Sequence, residues 1–237
     1  MWLLHAQQPR GMIIACHGYY ATRFQLMPLA EHLRAGGYSV AVFDFPAHGT
    51  REGRCTFGRE EVADIGAILE HIRREPRTAS LPVGLLGWSF GGVVACQAAQ
   101  QIAGIRALVL DSAYARLFPI LAHAIRRDYH LPSVPFAWIS WLSLQVALRD
   151  RLRLRDPSVV AARLPHPVLL IHGEADRSVP VEHARIVYER WRGPKERWLE
   201  PEVGHVGMYA ADPARYCRRV IAFFDQWLTA PNPSSPS

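Results

Sequence analysis

The sequence predicts an α/β fold, a mostly parallel, doubly wound sheet with a helical insertion in its later half. Three observations predict it. Short β-branched or aliphatic runs alternate with amphipathic stretches of helix length, and one such run passes directly into a helix through Gly87-Trp88-Ser89-Phe90-Gly91. The alternation then stops over residues 112–164, where Phe118, Tyr129, Phe136, Trp138 and Trp141 are interspersed with Pro119, Pro132 and Pro135.

The elements follow in chain order. Residues 2–5 and 12–16 flank a turn signal at Gln8-Pro9-Arg10-Gly11 and are expected to pair as an opening hairpin. Residues 25–35 read as a helix stopped by Gly36-Gly37, and residues 39–43 as the next strand. A helix over 60–74 exits at Pro76. Strand 83–86, helix 91–101 and strand 107–110 come next, the strands too short and apolar to lie anywhere but inside. After the insertion at about 112–164 come strand 168–171, helix 181–191, strand 196–199 and a closing helix over 213–228. Residues 231–237 read as a disordered tail, leaving 1–230 as a single domain.

Composition narrows the function classes. At 237 residues and 49% hydrophobic, the chain can fill one core. A chain of this size buries roughly three quarters of its unfolded surface, so it needs no disulfide or metal for stability. Of four cysteines, Cys16 and Cys96 lie in apolar segments and Cys55 and Cys217 are isolated. No C-x-x-C pair or Cys/His cluster suggests zinc or redox chemistry, which points to reduced thiols and a cytoplasmic protein. Met1-Trp2-Leu3-Leu4-His5 lacks the basic start and cleavage site of a signal peptide. No apolar run approaches the ~20 residues of a spanning helix, so no membrane insertion is expected. The net charge of +6 invites a nucleic-acid partner. Against one, the basic pairs Arg73-Arg74, Arg126-Arg127 and Arg218-Arg219 are dispersed among acids as solvated faces. The dense stretch over 149–156 reads as an exposed helix end, with attraction to anionic substrates or a membrane surface as the alternative.

The strongest chemical signal is Gly-x-Ser-x-Gly at 87–91 between strand and helix. A serine lifted above a sheet on a strained turn needs small neighbours two residues away on either side, and the helix N-terminus behind it favours developing negative charge. Ser89 also needs a base, and the base an orienting acid. His205 follows the last strand on a loop, whereas His5, His32, His71, His123 and His183 fall within elements and read as solvated or core side chains. Asp176, in the loop after strand 168–171, is the acid of choice, with Glu174 and Asp111 as rivals; Asp111 also reads as a cap for following amides. An oxyanion hole takes one amide from the residue after the nucleophile, Phe90, and a second from the loop after the early strand, where Tyr19 is preferred and Tyr20 is the alternative. His17 in that loop reads as a brace.

The order Ser, Asp, His, with His17-Gly18-Tyr19 and Gly87-Trp88-Ser89-Phe90-Gly91-Gly92, resembles the α/β-hydrolase superfamily over nearly the whole chain. Asp176-Arg177-Ser178-Val179-Pro180 is similar to the family's D-x-x-V-P, and His205 to its terminal G-H. Phe43-Asp44-Phe45-Pro46-Ala47-His48-Gly49 is similar to its D-x-R-G-H-G loop, with Pro46 and Ala47 in place of Arg-Gly. The resemblance is nearest to small bacterial esterases and serine-aminopeptidase-like hydrolases. It implies cofactor-free hydrolysis of a small-molecule ester, with thioesters or peptides as alternative substrates and a non-catalytic binding protein as the other class. It also implies an insertion that caps the site, and the opening hairpin, set against the family, implies a minimal sheet lacking the family's first strand. Phe118, Phe136, Trp138 and Trp141 would line an apolar pocket or pack that cap onto the body.

Overall fold

The computed structural model describes residues 1–229, so the tail expected over 231–237 lies outside the described residues. Seven strands form one sheet: β1 (Trp2–Leu4), β2 (Gly11–Cys16), β3 (Tyr38–Val42), β4 (Val83–Trp88), β5 (Ile105–Asp111), β6 (Val168–Gly173) and β7 (Lys195–Glu200), in the order β1-β3-β2-β4-β5-β6-β7. All neighbours run parallel except β1 on β3. Every residue of β2, β3, β4 and β6 is buried, as strands covered on both faces must be.

The expected opening hairpin does not form. β1 pairs antiparallel with β3, Trp2 opposite Val42 and Leu4 opposite Val40, while β2 lies between β3 and β4. The reason is burial. Gly11–Cys16 is apolar on both faces and gains a parallel partner on each side through helical crossovers, whereas the three-residue β1, exposed at Trp2, suits an edge.

Helices cover both faces. They are α1 (Met27–Ala35), α2 (Arg59–Arg74), α3 (Phe90–Gln101), α4 (Leu117–Tyr129), α5 (Ser133–Leu148), α6 (Pro157–Val160), α7 (Glu182–Arg190), α8 (Met208–Ala211) and α9 (Pro213–Leu228). The pleat sorts the two cores: Met12, Ile14 and Cys16 join Val62 of α2 and Val93 of α3 on one face. Ile13 and Ala15 join Leu29 of α1 and Phe224 of α9 on the other. Full burial of each large side chain contributes about 1.5–3 kcal/mol.

Between β5 and β6 the chain forms no strand. α4 and α5 pack together there through Phe118, whose ring centroid lies 4.7 Å from that of Trp138 and 5.7 Å from that of Trp141. The base of this segment is stapled where it enters and leaves, because Leu117 N–H donates to Asp156 Oδ1 at 2.9 Å and Ser158 N–H to the Ala115 carbonyl at 3.0 Å. Of the aromatic residues expected to line a pocket or pack the insertion, Phe118 and buried Trp141 pack it, Trp138 packs on Phe118 while staying half-exposed, and Phe136 is exposed.

Candidate active site

β4 runs into α3 through Ser89, whose φ of 53° and ψ of −118° place a non-glycine residue in a strained region. The neighbours must be glycine. A Cβ on Gly87 would meet the backbone of Gly91 and Gly92, and one on Gly91 would meet the carbonyls of Cys16 and His17. Strand and helix therefore close to a distance that only these residues allow, and the turn raises the Ser89 hydroxyl over the carboxyl edge of the sheet.

Two loops from that edge converge on it. Ser89 Oγ lies 2.9 Å from His205 Nε2, and His205 Nδ1 lies 2.6 Å from Asp176 Oδ2. Asp176 Oδ1 meanwhile accepts from the amides of Ser178 and Val179, both at 2.8 Å, and its side chain is fully buried. A carboxylate so held can accept a hydrogen bond from His205 Nδ1–H, an arrangement that would leave Nε2 to accept from the serine hydroxyl. His172, whose Nε2 lies 3.4 Å from Asp176 Oδ2, donates from that nitrogen to the Val179 carbonyl at 2.8 Å, which fixes the turn carrying Asp176. Burial pushes the His172 imidazole below its ordinary pKa, so it stays neutral beside the acid.

The rivals for the acid position lie elsewhere. Glu174 pairs with Arg185 at 3.3 Å on the surface. Asp111, at the end of β5, is fully buried and does not cap backbone amides as expected; its oxygens accept instead from the hydroxyls of Ser112 at 2.9 Å and Tyr216 at 3.0 Å. The cause is local geometry: Ser112 takes a positive φ of 56°, which turns its hydroxyl back onto the carboxylate. Around Asp111 a network forms that sequence reasoning missed. Trp88 Nε1–H donates to the Tyr216 hydroxyl at 2.9 Å, Ser89 N–H to the Asp111 carbonyl at 2.7 Å, and Val206 N–H to Ser112 Oγ at 3.1 Å. Residues flanking both Ser89 and His205 are thus tied to one carboxyl. Burial pushes that carboxyl up to about 7, outweighing the hydrogen bonds from Ser112 and Tyr216. The sole sequence signal was an Asp-Ser pair closing a strand beside the nucleophile strand.

The loop after β2 brings backbone to the same point. Gly18 approaches Ser89 closely enough that an added Cβ would lie 3.5 Å from the serine Cβ. His17 braces the loop as expected: Nδ1–H donates to the Gly18 carbonyl at 2.7 Å and Nε2 accepts from Phe45 N–H at 3.0 Å. Burial lowers this imidazole to about 4, so it is neutral. The ring of Tyr19 packs against Phe57 and Phe90, centroids 6.0 and 5.9 Å away. The amides of Tyr19 and Phe90 donate to no acceptor among the described residues, and the Phe90 amide opens α3, where N–H groups lack helical partners. Tyr20 adopts a positive φ of 58° and turns its ring outward.

Among the remaining histidines, His183 accepts from Ala115 N–H at 2.9 Å and is lowered to about 4 by burial. His123 and Arg127 of α4 both donate to the carbonyl of Arg177, at 2.8 and 3.1 Å, which ties the insertion to the loop that carries Asp176. A cleft of about 450 Å³ opens apart from all of these groups, lined by Arg23, Asp44, Arg51, Asp64 and His71. Its charged walls pair with one another, Arg23 with Asp44 and Arg51 with Asp64, and hold no nucleophile beside a base.

Comparison with known proteins gives a consistent result. The alpha/beta hydrolase family matches residues 13–219. The uncharacterized protein YqkD of Bacillus subtilis is 28% identical over 216 residues, covering 90% of this chain and 70% of the relative. A monoacylglycerol lipase of Mycolicibacterium smegmatis is 25% identical over 219 residues, covering 77% of this chain and 76% of that one. Among solved structures, an esterase of Pyrococcus furiosus superposes with a TM-score of 0.76 at 27% identity, covering 93% of this chain and 83% of the other. The sheet order, the serine turn between β4 and α3, and a match spanning all but the ends of the described chain agree: this protein belongs to the alpha/beta hydrolase family.

Proposed function

We propose that the protein is a serine hydrolase that cleaves carboxylic esters of small molecules through an acyl-enzyme, with Ser89, His205 and Asp176 as its triad. The observation that carries this reading is the unbroken chain of contacts from Ser89 Oγ to His205 Nε2 at 2.9 Å and from His205 Nδ1 to Asp176 Oδ2 at 2.6 Å. Ser89 Oγ attacks the ester carbonyl carbon while its proton passes to His205 Nε2. The tetrahedral oxyanion is received by the Phe90 and Tyr19 amides, each donor worth ~3 kcal/mol to the transition state. Collapse breaks the bond to the alcohol oxygen, which takes the proton from His205 and departs. Water then attacks the acyl-enzyme, its proton passing to His205, and the acid leaves Ser89 with its hydroxyl restored. Asp176 fixes the tautomer and stabilises the imidazolium throughout. The segment carrying α4 and α5 acts as the cap over this site, a role supported by its hydrogen bonds to the Arg177 carbonyl. Esterase and lipase relatives favour the ester over the thioester or peptide bond.

The experiment is hydrolysis of a short p-nitrophenyl ester together with labelling by a fluorophosphonate. Ser89→Ala is expected to abolish both while leaving the thermal melt unchanged; a variant that still labels would remove Ser89 from the nucleophile's role.

A further inference from the structure

α5 carries no charged side chain over its sixteen residues. Its inner stripe, Ala137, Trp141 and Leu148, is buried. The opposite face is apolar except for the hydroxyl of Ser143, and it is open: Trp138 is 52% exposed, Ile139 55%, Leu142 56% and Val146 75%. At spacings of one, four and eight residues these side chains share one helical face. The end of α4 and the turn after it add Tyr129 and Leu131, both exposed. A solvated helix face ordinarily carries charge, and a helix with large apolar side chains on two opposite faces and no charge is normally covered on both sides. Charge does appear at both ends. Arg126 precedes the turn and Arg149, Arg151 and Arg153 follow the helix; all four are exposed and none forms an ion pair among the described residues.

We propose that this face seats the protein on an anionic lipid surface, with α5 lying in the plane of the interface. Trp138, Ile139, Leu142 and Val146 enter the boundary between headgroups and acyl chains, and the arginines at either end meet headgroup phosphates. No described helix is long and apolar enough to cross a membrane, so the contact is peripheral. Charge selects this occupant over a second copy of the chain. Pairing two α5 faces in either direction sets arginine-flanked ends against arginine-flanked ends, whereas a phosphate-bearing surface complements both. The seat adjoins the Asp176 loop, since α4 is held to the Arg177 carbonyl.

The test uses the full chain carrying Ser89→Ala, so that lipid binding is read without hydrolysis and stands apart from the assignment of the nucleophile. Co-sedimentation is measured with phosphatidylcholine vesicles and with vesicles in which part of that lipid is replaced by phosphatidylglycerol. Binding at least about tenfold tighter to the anionic vesicles, weakened by added salt, is expected. Leu142→Glu with Val146→Glu should lower the affinity by about tenfold or more, and Arg149→Gln with Arg151→Gln and Arg153→Gln should erase the preference for anionic lipid. Both sets alter exposed positions, and an unchanged thermal melt establishes that they fold. Absence of vesicle binding, or binding indifferent to both sets, overturns the proposal. So does a dimer in sedimentation velocity that Leu142→Glu with Val146→Glu dissociates, because the face would then belong to a second copy.

Discussion

Both oxygens of Asp176 are occupied, one by two backbone amides and the other by His205, so a change of one atom there has a defined consequence. Asp176→Asn keeps the shape but cannot accept the Nδ1 proton at the second position, which favours the tautomer with Nε2 protonated and unable to receive the serine proton. A fall in kcat of roughly 10³–10⁴ with little change in KM is expected in steady-state ester hydrolysis. Asp111 acts on stability instead. Its carboxyl ionises near 3.8 when unfolded and at about 7 when folded. Between those values the folded chain keeps a proton that the unfolded chain has lost, so its contribution is full below the lower value and disappears as pH rises through the upper one. The unfolding free energy from urea melts between pH 4.5 and 7.5 should therefore fall less in Asp111→Asn than in the wild type, by an amount on the order of a few kcal/mol; equal slopes would count against the assignment. Ser89, His205 and Asp176 were legible in the sequence because each lies in a short motif beside a strand signal. The network of Asp111 was not, since Tyr216 meets Asp111 across 105 positions and Trp88 across 128, and only packing brings them together.

Periodicity located most elements because strands such as 168–171 and helices such as 213–228 bury apolar faces of regular spacing. It misled at β1, where the turn at Gln8-Pro9-Arg10-Gly11 was visible but the partner was decided by a strand more than thirty residues later. In α5 the absence of any polar stripe hid which aromatic residues point inward, so Trp141 and Trp138 read alike while the fold separates them. Trp141→Ala should show the difference. Removing a buried indole that packs on Phe118 is expected to cost about 3–5 kcal/mol, read as a lowered urea midpoint. A loss below about 1 kcal/mol would mean that the insertion does not unfold with the body.

Across the molecule, stability comes from two apolar layers on a covered sheet, without covalent ties. All four cysteines are free thiols, and burial raises the pKa of each, Cys217 to about 11 and Cys55 to about 12. A reducing agent should leave the Tm unchanged, and a thiol reagent should react slowly with the native protein but with all four sites after denaturation, as absorbance at the released thiolate would report. Fold class and family were legible at this scale because alternation and motif order are properties of the whole chain, whereas the exposed face of α5 depends on what its neighbours leave uncovered. The staple between Leu117 and Asp156, with that between Ala115 and Ser158, has an evolutionary corollary. The stretch it closes begins and ends at adjacent parallel strands whose register is set without it, Leu108 opposite Val168. Such a segment has the geometry of a replaceable module: under the proposed function, a foreign pair of helices grafted between the same two anchor points is expected to change substrate choice and leave the contacts of Ser89, His205 and Asp176 in place.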